Sequence, residues 1–149
     1  MENLHEVLNS QISNWSILYV KLHNYHWYVK GKDFFTLHLK FEEFYNEAAD
    51  HIDELAERLL SIGGKPVGTI KEYMEISKIS EATGNETAGD MVQIVLDDFS
   101  LLIEELKNGM KIAEEVDDEI TSDMFLSIRS GLEKHAWMLK AYMGELSYV

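Results

Sequence analysis

The stretch FFTLHLKFEEFYNEAADHIDELAERLLSIGGKP, residues 34–66, decides the fold class of this chain. Its apolar residues recur every three or four positions from Phe34 to Ile62, which is the spacing of an amphipathic α-helix. A pair of glycines and Pro66 follow, and they predict a sharp end, because glycine suits a helix cap and proline cannot continue a helix. The stretch therefore predicts one long helix with a well-marked C-terminus.

Three further stretches show the same apolar periodicity. One precedes the quoted stretch, from about residue 4 to residue 29, and two follow it, with apolar stripes over residues 92–110 and 125–143. Helices of about 25 residues are about 38 Å long at about 1.5 Å per residue, which is the length of bundle members. Since the 149 residues include only one proline, the sequence predicts an all-α chain.

The connections between these helices predict the topology. The first two helices and the last two are joined by short links, which favour antiparallel neighbours. The middle link, residues 63–89, is long enough to recross a bundle, and Thr69–Ile76 within it has the pattern of a short helix capped by Thr69. We therefore predict a single domain over residues 1–149, an all-α ferritin-like four-helix bundle with one long crossover connection that carries a short extra helix.

Composition limits the chemistry and the partners of the chain. There is no cysteine, so any metal must bind to nitrogen and oxygen ligands. Residues 1–10 carry no Lys or Arg, and no apolar run approaches the ~18 residues of a membrane span, so we expect a cytoplasmic protein without a membrane partner. The formal net charge of -14 favours cations as partners, although an acidic surface also serves simply to keep a protein in solution.

The helix over residues 34–62 carries a face of potential metal ligands about 135° from its apolar stripe. This face holds two pairs of ligand-type side chains, which are His38 with Glu42 and Asp53 with Glu57. The members of each pair are four residues apart, so they point the same way and could bind one ion. Either pair alone is more often an ordinary surface arrangement than a metal site.

The distance between the two pairs predicts a site that is shared by two chains. Glu42 and Asp53 are about 16 Å apart along the axis, so the pairs cannot share a metal within one helix. The pairs mirror each other about the centre of the helix, where Ala48 and Ala49 would allow a close approach. An antiparallel two-fold copy would therefore form two identical sites, each with one pair from either chain.

His26 is a further candidate ligand. It precedes the turn near Lys32 by six residues and His38 follows that turn by six, so a helical hairpin would place the two side chains level. His26 also lies on an apolar stripe, where a buried histidine bonded to a carbonyl is equally expected, and the spacing leaves both alternatives open. Imidazole and carboxylate ligands without thiolate suit iron, manganese or zinc, and open coordination positions would let Fe(II) pass electrons to peroxide or oxygen.

Several motifs together resemble those of the Dps family of the ferritin superfamily. They are Lys21-Leu-His-Asn-Tyr-His-Trp27, Phe34-Phe-Thr-Leu-His38, Asp53-Glu-Leu-Ala-Glu-Arg58, Gly63-Gly and Lys134-His-Ala-Trp137, and they extend over nearly the whole chain. The resemblance implies an intersubunit ferroxidase centre that is formed by His26, His38, Glu42, Asp53 and Glu57. The family usually has Asp where Glu42 stands, and the extra methylene changes the reach of this ligand.

The resemblance also implies a shell of twelve subunits with metal sites at its two-fold interfaces. Such a shell would oxidise Fe(II) to Fe(III), preferably with hydrogen peroxide, and would store ferric oxide inside, which protects DNA and the cell from oxidative damage. Iron is the implied metal, with zinc as a surrogate. Glu114, Glu119 and Asp123 match the family's acidic iron-entry channels, although acidic residues near the start of a helix also serve as caps.

The main alternative function is nucleoid compaction, because some members of this family bind DNA through mobile, lysine-rich tails. Residues 1–20 and 141–149 contain no Lys or Arg, so we expect no DNA binding at physiological salt. A third alternative is a structural helical bundle whose histidines have no chemical role. It predicts that iron oxidation runs no faster with the protein than in buffer.

Overall fold

The computed structural model describes residues 2–144, and this part of the chain contains five α-helices and no strand. The helices are α1 Leu4–Tyr28, α2 Phe34–Ser61, α3 Ile70–Ile76, α4 Ala88–Glu115 and α5 Glu119–Tyr142. The bounds of α1 and α2 agree with the predicted ones to within one residue, and α3 is the short helix expected in the long connection. The apolar stripes predicted at residues 92–110 and 125–143 lie almost entirely within α4 and α5, which begin several residues earlier. None of the helices in the described range has the length and apolarity needed to span a membrane.

The chain divides into two compact units, which lie within Met1–Ala88 and within Gly89–Val149. The first contains α1, α2 and α3, and the second contains α5 and nearly all of α4. The single domain over residues 1–149 stays a prediction, and it extends beyond the described residues at both ends.

In the first unit, α1 and α2 form a helical hairpin. Ring contacts mark its register, and they join His26 to His38, Tyr19 to Tyr45 and Trp15 to His51. Because residue numbers fall along α1 while they rise along α2, the two helices run antiparallel, as the short link predicted. The turn between them includes Gly31, whose φ of 113° is a conformation that residues with a side chain rarely adopt.

The end of α2 is the sharp boundary that the sequence predicted. Gly63 has a φ of 84°, and the backbone N–H groups of Gly63 and Gly64 donate to the carbonyls of Leu60 and Leu59. These bonds satisfy carbonyls that the last helical turn would otherwise leave unpaired. A Cβ atom on Gly64 would collide with the side chain of Leu59, so the second glycine is needed for space.

Side chains of α1 bind the long connection that follows α2. Asn9 donates to the carbonyl of Lys65 and accepts from the N–H of Val67. Further along, the Asn14 Oδ1 accepts from the Ser77 hydroxyl and from the N–H of Lys78. The connection is therefore attached to α1 at two points on either side of α3, whose own N-terminus is capped by the Thr69 side chain.

Glu86 attaches the last part of this connection to α1. Its carboxylate accepts from the Tyr25 hydroxyl at 2.7 Å and from the N–H and hydroxyl of Thr83. Desolvation raises the pKa of Glu86, but the hydrogen bonds from Thr83 and Tyr25 outweigh it and bring the pKa to about 2. Glu86 therefore stays ionised at neutral pH and holds the connection beside Tyr25, the neighbour of His26.

The predicted apolar stripes are largely buried. In α2 the buried residues are Leu37, Phe41, Phe44, Ala48, Leu55 and Leu59, whereas Ile52 and Ile62, which have the same apolar spacing, are only half-buried. The buried surface of α1 is wider than its apolar stripe, because Gln11, Ser13, Asn14 and Lys21 are also buried.

In the second unit, α4 and α5 also run antiparallel. The Phe99 ring lies 6.1 Å from the His135 ring, and the Arg129 guanidinium donates to the Met110 sulfur at 3.8 Å. The turn between these helices places Asp117 at a φ of 57°, where the Asp118 N–H donates back to the last turn of α4.

Candidate metal centre

His26 and His38 face each other across the α1–α2 hairpin, as their spacing from the turn predicted. The two imidazole rings stack with centroids 3.8 Å apart and 14° between their planes. The His26 Nδ1 lies 2.6 Å from the backbone carbonyl of His38, and the His38 Nδ1 lies 2.7 Å from the carbonyl of His26. Since a carbonyl oxygen only accepts, both Nδ1 atoms donate, which is the tautomer whose ring lone pair lies on Nε2.

This reciprocal arrangement bears on the two alternatives for His26. Its side chain is 7% exposed and bonded to a carbonyl, as expected of a structural histidine. The same bond also fixes the tautomer and orientation that a metal-binding histidine requires, because ligating histidines usually donate their other N–H to a carbonyl or carboxylate. The His38 ring is further held by Phe34, which stacks on it at 4.9 Å.

Glu42 lies one turn after His38 on α2 and contacts Tyr45. The Tyr45 hydroxyl donates to the Glu42 Oε1 at 3.3 Å. Desolvation raises the pKa of Tyr45, and the charge of Glu42 and the hydrogen bond to it raise this pKa further. The phenol is therefore protonated at neutral pH and available as a donor to the carboxylate.

The Tyr45 ring is in turn packed against α1. It stacks on His23 at 3.7 Å with 17° between the planes, and it meets the His26 ring edge-on at 5.3 Å. Neither Tyr45 nor His23 was predicted as a site residue. A usable signal was present, because Tyr45 follows Glu42 by three residues and His23 precedes His26 by three, so each lies next to a candidate ligand on its own helix.

Asp53 and Glu57 form the second pair of candidate ligands on α2. Both side chains are exposed. A hydrogen bond with Asp53 raises the pKa of Glu57, and the negative charge of Asp53 raises it further. Two carboxylates this close repel each other, and a divalent cation bound between them would relieve that repulsion.

Within one chain the structure does not bring the two pairs together. Among residues 2–144, no group of three or more His, Asp or Glu side chains is arranged to hold a metal ion. The helix face that carries the pairs is half-buried at His38 and Glu42 and exposed from Ala49 onward, including Leu60, whose side chain is 60% exposed. One chain thus provides two separate groups of potential ligands on a surface that is open along much of its length.

The predicted pore residues Glu114, Glu119 and Asp123 are all exposed and lie near the turn between α4 and α5. The cap of α5 is provided by Asp118, whose carboxylate accepts from the N–H and hydroxyl of Thr121. Glu119 lies in the first helical turn, where a negative charge is favourable. Helix capping therefore accounts for the acidic side chain of Asp118 and in part for that of Glu119. It does not account for the acidic side chains of Glu114 and Asp123.

Residues 5–149 match a family model that is described as the ferritin-like domain. This match covers nearly the whole chain, which therefore belongs to the ferritin-like proteins. The predicted fold class is confirmed, namely an all-α four-helix bundle with a short extra helix in its long crossover connection.

Individual relatives define the group more closely. The chain is 63% identical over 143 residues to general stress protein 20U of Bacillus subtilis (strain 168), across 96% of this chain and 99% of that protein. It is 60% identical over 140 residues to DNA protection during starvation protein 2 of Bacillus anthracis, across 94% and 96% of the two chains. The crystal structure of a Dps protein from Bacillus brevis superposes with a TM-score of 0.93 at 53% identity, covering 96% of this chain and 99% of that one. The chain belongs to the Dps family, whose members are concerned in general with iron storage and DNA protection.

Proposed function

We propose that this chain is the subunit of a ferroxidase shell that oxidises Fe(II) to Fe(III), preferably with hydrogen peroxide, and stores the ferric product inside. The observation that carries the proposal is the reciprocal His26–His38 pair, in which two imidazoles lie in contact with Nδ1 protonated and Nε2 left to bind metal. Removing Fe(II) and peroxide together would protect DNA and the cell, because these two species react to give damaging radicals.

A second copy of the chain completes the proposed centre. His26, His38 and Glu42 come from one chain, while Asp53 and Glu57 come from its two-fold partner. This division is supported by the lack of any complete ligand set within residues 2–144 of a single chain. It is also supported by the open helix face on which Asp53 and Glu57 lie, which an antiparallel copy of α2 could approach.

The proposed ligands suit the proposed chemistry. Imidazole nitrogens and carboxylate oxygens bind Fe(II) and leave coordination positions for the oxidant. Two Fe(II) ions each lose one electron to a peroxide molecule, its O–O bond breaks, and two protons are taken up to form two water molecules. The carboxylates stabilise the higher charge of the two Fe(III) products, whereas Zn(II) would fit the same ligands as a surrogate without redox chemistry.

The wider assembly follows from the same proposal. Twelve subunits would enclose a cavity, with iron entering past Glu114, Glu119 and Asp123 and with the formal charge of -14 on each subunit attracting cations. We place this assembly in the cytoplasm, where Fe(II) and peroxide meet DNA.

The proposal is tested by anaerobic oxidation of Fe(II) with hydrogen peroxide, followed by absorbance, and by the iron that remains with the protein after gel filtration. We expect rapid oxidation and iron that elutes with an assembly much larger than one subunit. Oxidation at the rate of buffer alone, with no iron in the protein peak, would show that the iron function is wrong even though the fold is that of the family.

Direct compaction of DNA remains the second candidate, and the name of the Bacillus anthracis relative, DNA protection during starvation protein 2, fits either direct binding or removal of iron and peroxide. The absence of Lys and Arg from residues 1–20 and 141–149 favours removal of iron and peroxide over direct DNA binding. We expect metal-free protein to leave plasmid mobility unchanged at physiological salt, and a clear shift would contradict this choice.

A further inference from the structure

We propose that Tyr45 is a positioning residue that fixes the Glu42 carboxylate for metal binding. The inference rests on the proposed function, because it concerns a residue beside the proposed ligands that is not itself one of them. It follows from three features of the hairpin, which are the length of the Glu42 side chain, the packing of the Tyr45 ring and the hydrogen bond between them.

Glu42 needs a restraint that a shorter side chain would not need. Its side chain is one methylene longer than that of aspartate, and this methylene adds a rotatable bond. Ordering that bond costs conformational entropy when a metal binds, whereas an effective site holds its ligands to within about 0.5 Å of their working positions. Glu42 is only half-buried, so close packing does not supply this restraint by itself.

Tyr45 is held in place from the opposite helix. Its ring stacks on His23 at 3.7 Å, and His23 is fixed by its own Nδ1, which donates to the backbone carbonyl of Tyr19 at 2.9 Å. A chain of contacts thus runs from the α1 backbone through His23 and Tyr45 to Glu42. These contacts fix the carboxylate on α2 relative to His26 on α1, the residue that the Tyr45 ring meets edge-on.

The hydrogen bond itself fits Glu42 and would not fit an aspartate. At 3.3 Å it is long for a bond from a hydroxyl. A carboxylate that is shorter by one methylene, about 1.5 Å, would lie beyond hydrogen-bonding distance in this geometry. Tyr45 and Glu42 therefore act as a matched pair, in which the hydroxyl compensates for the extra length of the ligand.

The first test compares two tyrosine variants with Co(II) as the probe, because Co(II) stays divalent without an added oxidant and its visible spectrum reports its ligands. Tyr45→Phe keeps the ring and removes the hydroxyl. We expect the affinity for Co(II) to fall about threefold to tenfold and the visible band to change. Removing a residue that bonds to a metal ligand typically lowers affinity ~10–100-fold, and we expect a smaller loss here because the bond is long. Tyr19→Phe is the matched control, since its ring also contacts Tyr45, and it should leave the affinity and spectrum unchanged.

The second test is a double-mutant cycle that combines Glu42→Asp with Tyr45→Phe. In a Glu42→Asp background the Tyr45 hydroxyl has no carboxylate within reach, so adding Tyr45→Phe should have no further effect on Co(II) affinity. The two changes are then strongly non-additive, as expected of residues that act through one contact. Gel filtration and thermal unfolding of all variants check that the assembly and the fold are unchanged.

The outcomes separate this inference from the proposed function. If the native protein neither binds Co(II) nor oxidises Fe(II), the proposed function fails and the role of Tyr45 fails with it. If the native protein binds Co(II) but Tyr45→Phe behaves like Tyr19→Phe, only the positioning role is wrong. An equal effect of Tyr45→Phe with Glu42 and with Asp at that position would also overturn it.

Discussion

The two ends of α2 differ in how much of their geometry a single chain provides. At the N-terminal end His38 is stacked between two rings and bonded to the backbone of α1. At the other end Asp53 and Glu57 are exposed, and the pKa of Glu57 is raised mainly by its hydrogen bond with Asp53 and by the charge of Asp53. The difference teaches that the hairpin alone orients the proposed nitrogen ligands, whereas the proposed carboxylate ligands have no such support from the rest of their own chain.

Removing the His38 imidazole from the N-terminal end of α2 should have the largest effect on Fe(II) oxidation. His38→Ala deletes a proposed ligand together with the ring that His26 and Phe34 stack on. We therefore expect peroxide-dependent Fe(II) oxidation to fall by more than the ~10–100-fold that is typical when a residue bonded to a ligand is replaced. His5→Ala is the control, because His5 is an exposed histidine near the start of α1, at the opposite end of that helix from His26. Oxidation at the native rate in His38→Ala would refute the assignment of this ligand.

Mixing two inactive variants tests whether the two ends belong to one shared site. Asp53→Asn preserves shape but removes the charge, and we expect it also to abolish most oxidation. In a dimer of one His38→Ala chain and one Asp53→Asn chain, one of the two sites has both residues intact, so random mixing of refolded chains should restore about a quarter of native activity. If mixing restores nothing, the two residues do not serve one intersubunit site.

A smaller effect, on thermal stability, is expected from Glu86, which holds the long connection beside Tyr25. The Glu86 pKa of about 2 lies below its ordinary value of 4.5, so its contribution to stability is present above pH 4.5 and is lost as the pH falls towards 2. We expect Glu86→Gln to lower the melting temperature by a few degrees at pH 7, and the difference should shrink as the pH approaches 2. A difference that stayed constant over this pH range would mean that the carboxylate charge is not responsible.

The smallest effect is expected on the solvent-facing side of the same helix. Lys40 and Glu43 form an ion pair at 2.8 Å, but both side chains are substantially exposed, and such pairs contribute about 0–1 kcal/mol. Lys40→Ala should therefore leave both the melting temperature and the oxidation rate close to native values. A marked loss of oxidation would show that the active face of α2 is wider than proposed.

Much of the fold and the backbone positions of the candidate ligands could be predicted from the sequence. Apolar periodicity predicted the helices and the short link predicted the antiparallel hairpin, so residues equally far from the turn, such as His26 and His38, had to lie level. These predictions succeed because they depend on the regular geometry of the α-helix alone.

Contacts that depend on side-chain conformation could not be predicted in the same way. The stacking of Tyr45 on His23 and its bond to Glu42 require specific rotamers on two helices, and periodicity carries no information on rotamers. The burial of Gln11 and Asn14 in α1 was missed for a related reason. Asn14 bonds the backbone of a segment more than sixty residues later in the chain, and a local pattern cannot indicate such a partner.

The reciprocal bonds between His26 and His38 have a consequence for the stability of the protein. Each imidazole fastens the two helices together through Nδ1 while its Nε2 stays available to a cation. A cation on Nε2 withdraws electron density from the ring and makes its N–H a stronger donor, so loading the site would tighten the hairpin. By thermodynamic reciprocity, a hairpin that is already closed would bind the cation more strongly, so under the proposed function iron supply and resistance to unfolding would be linked.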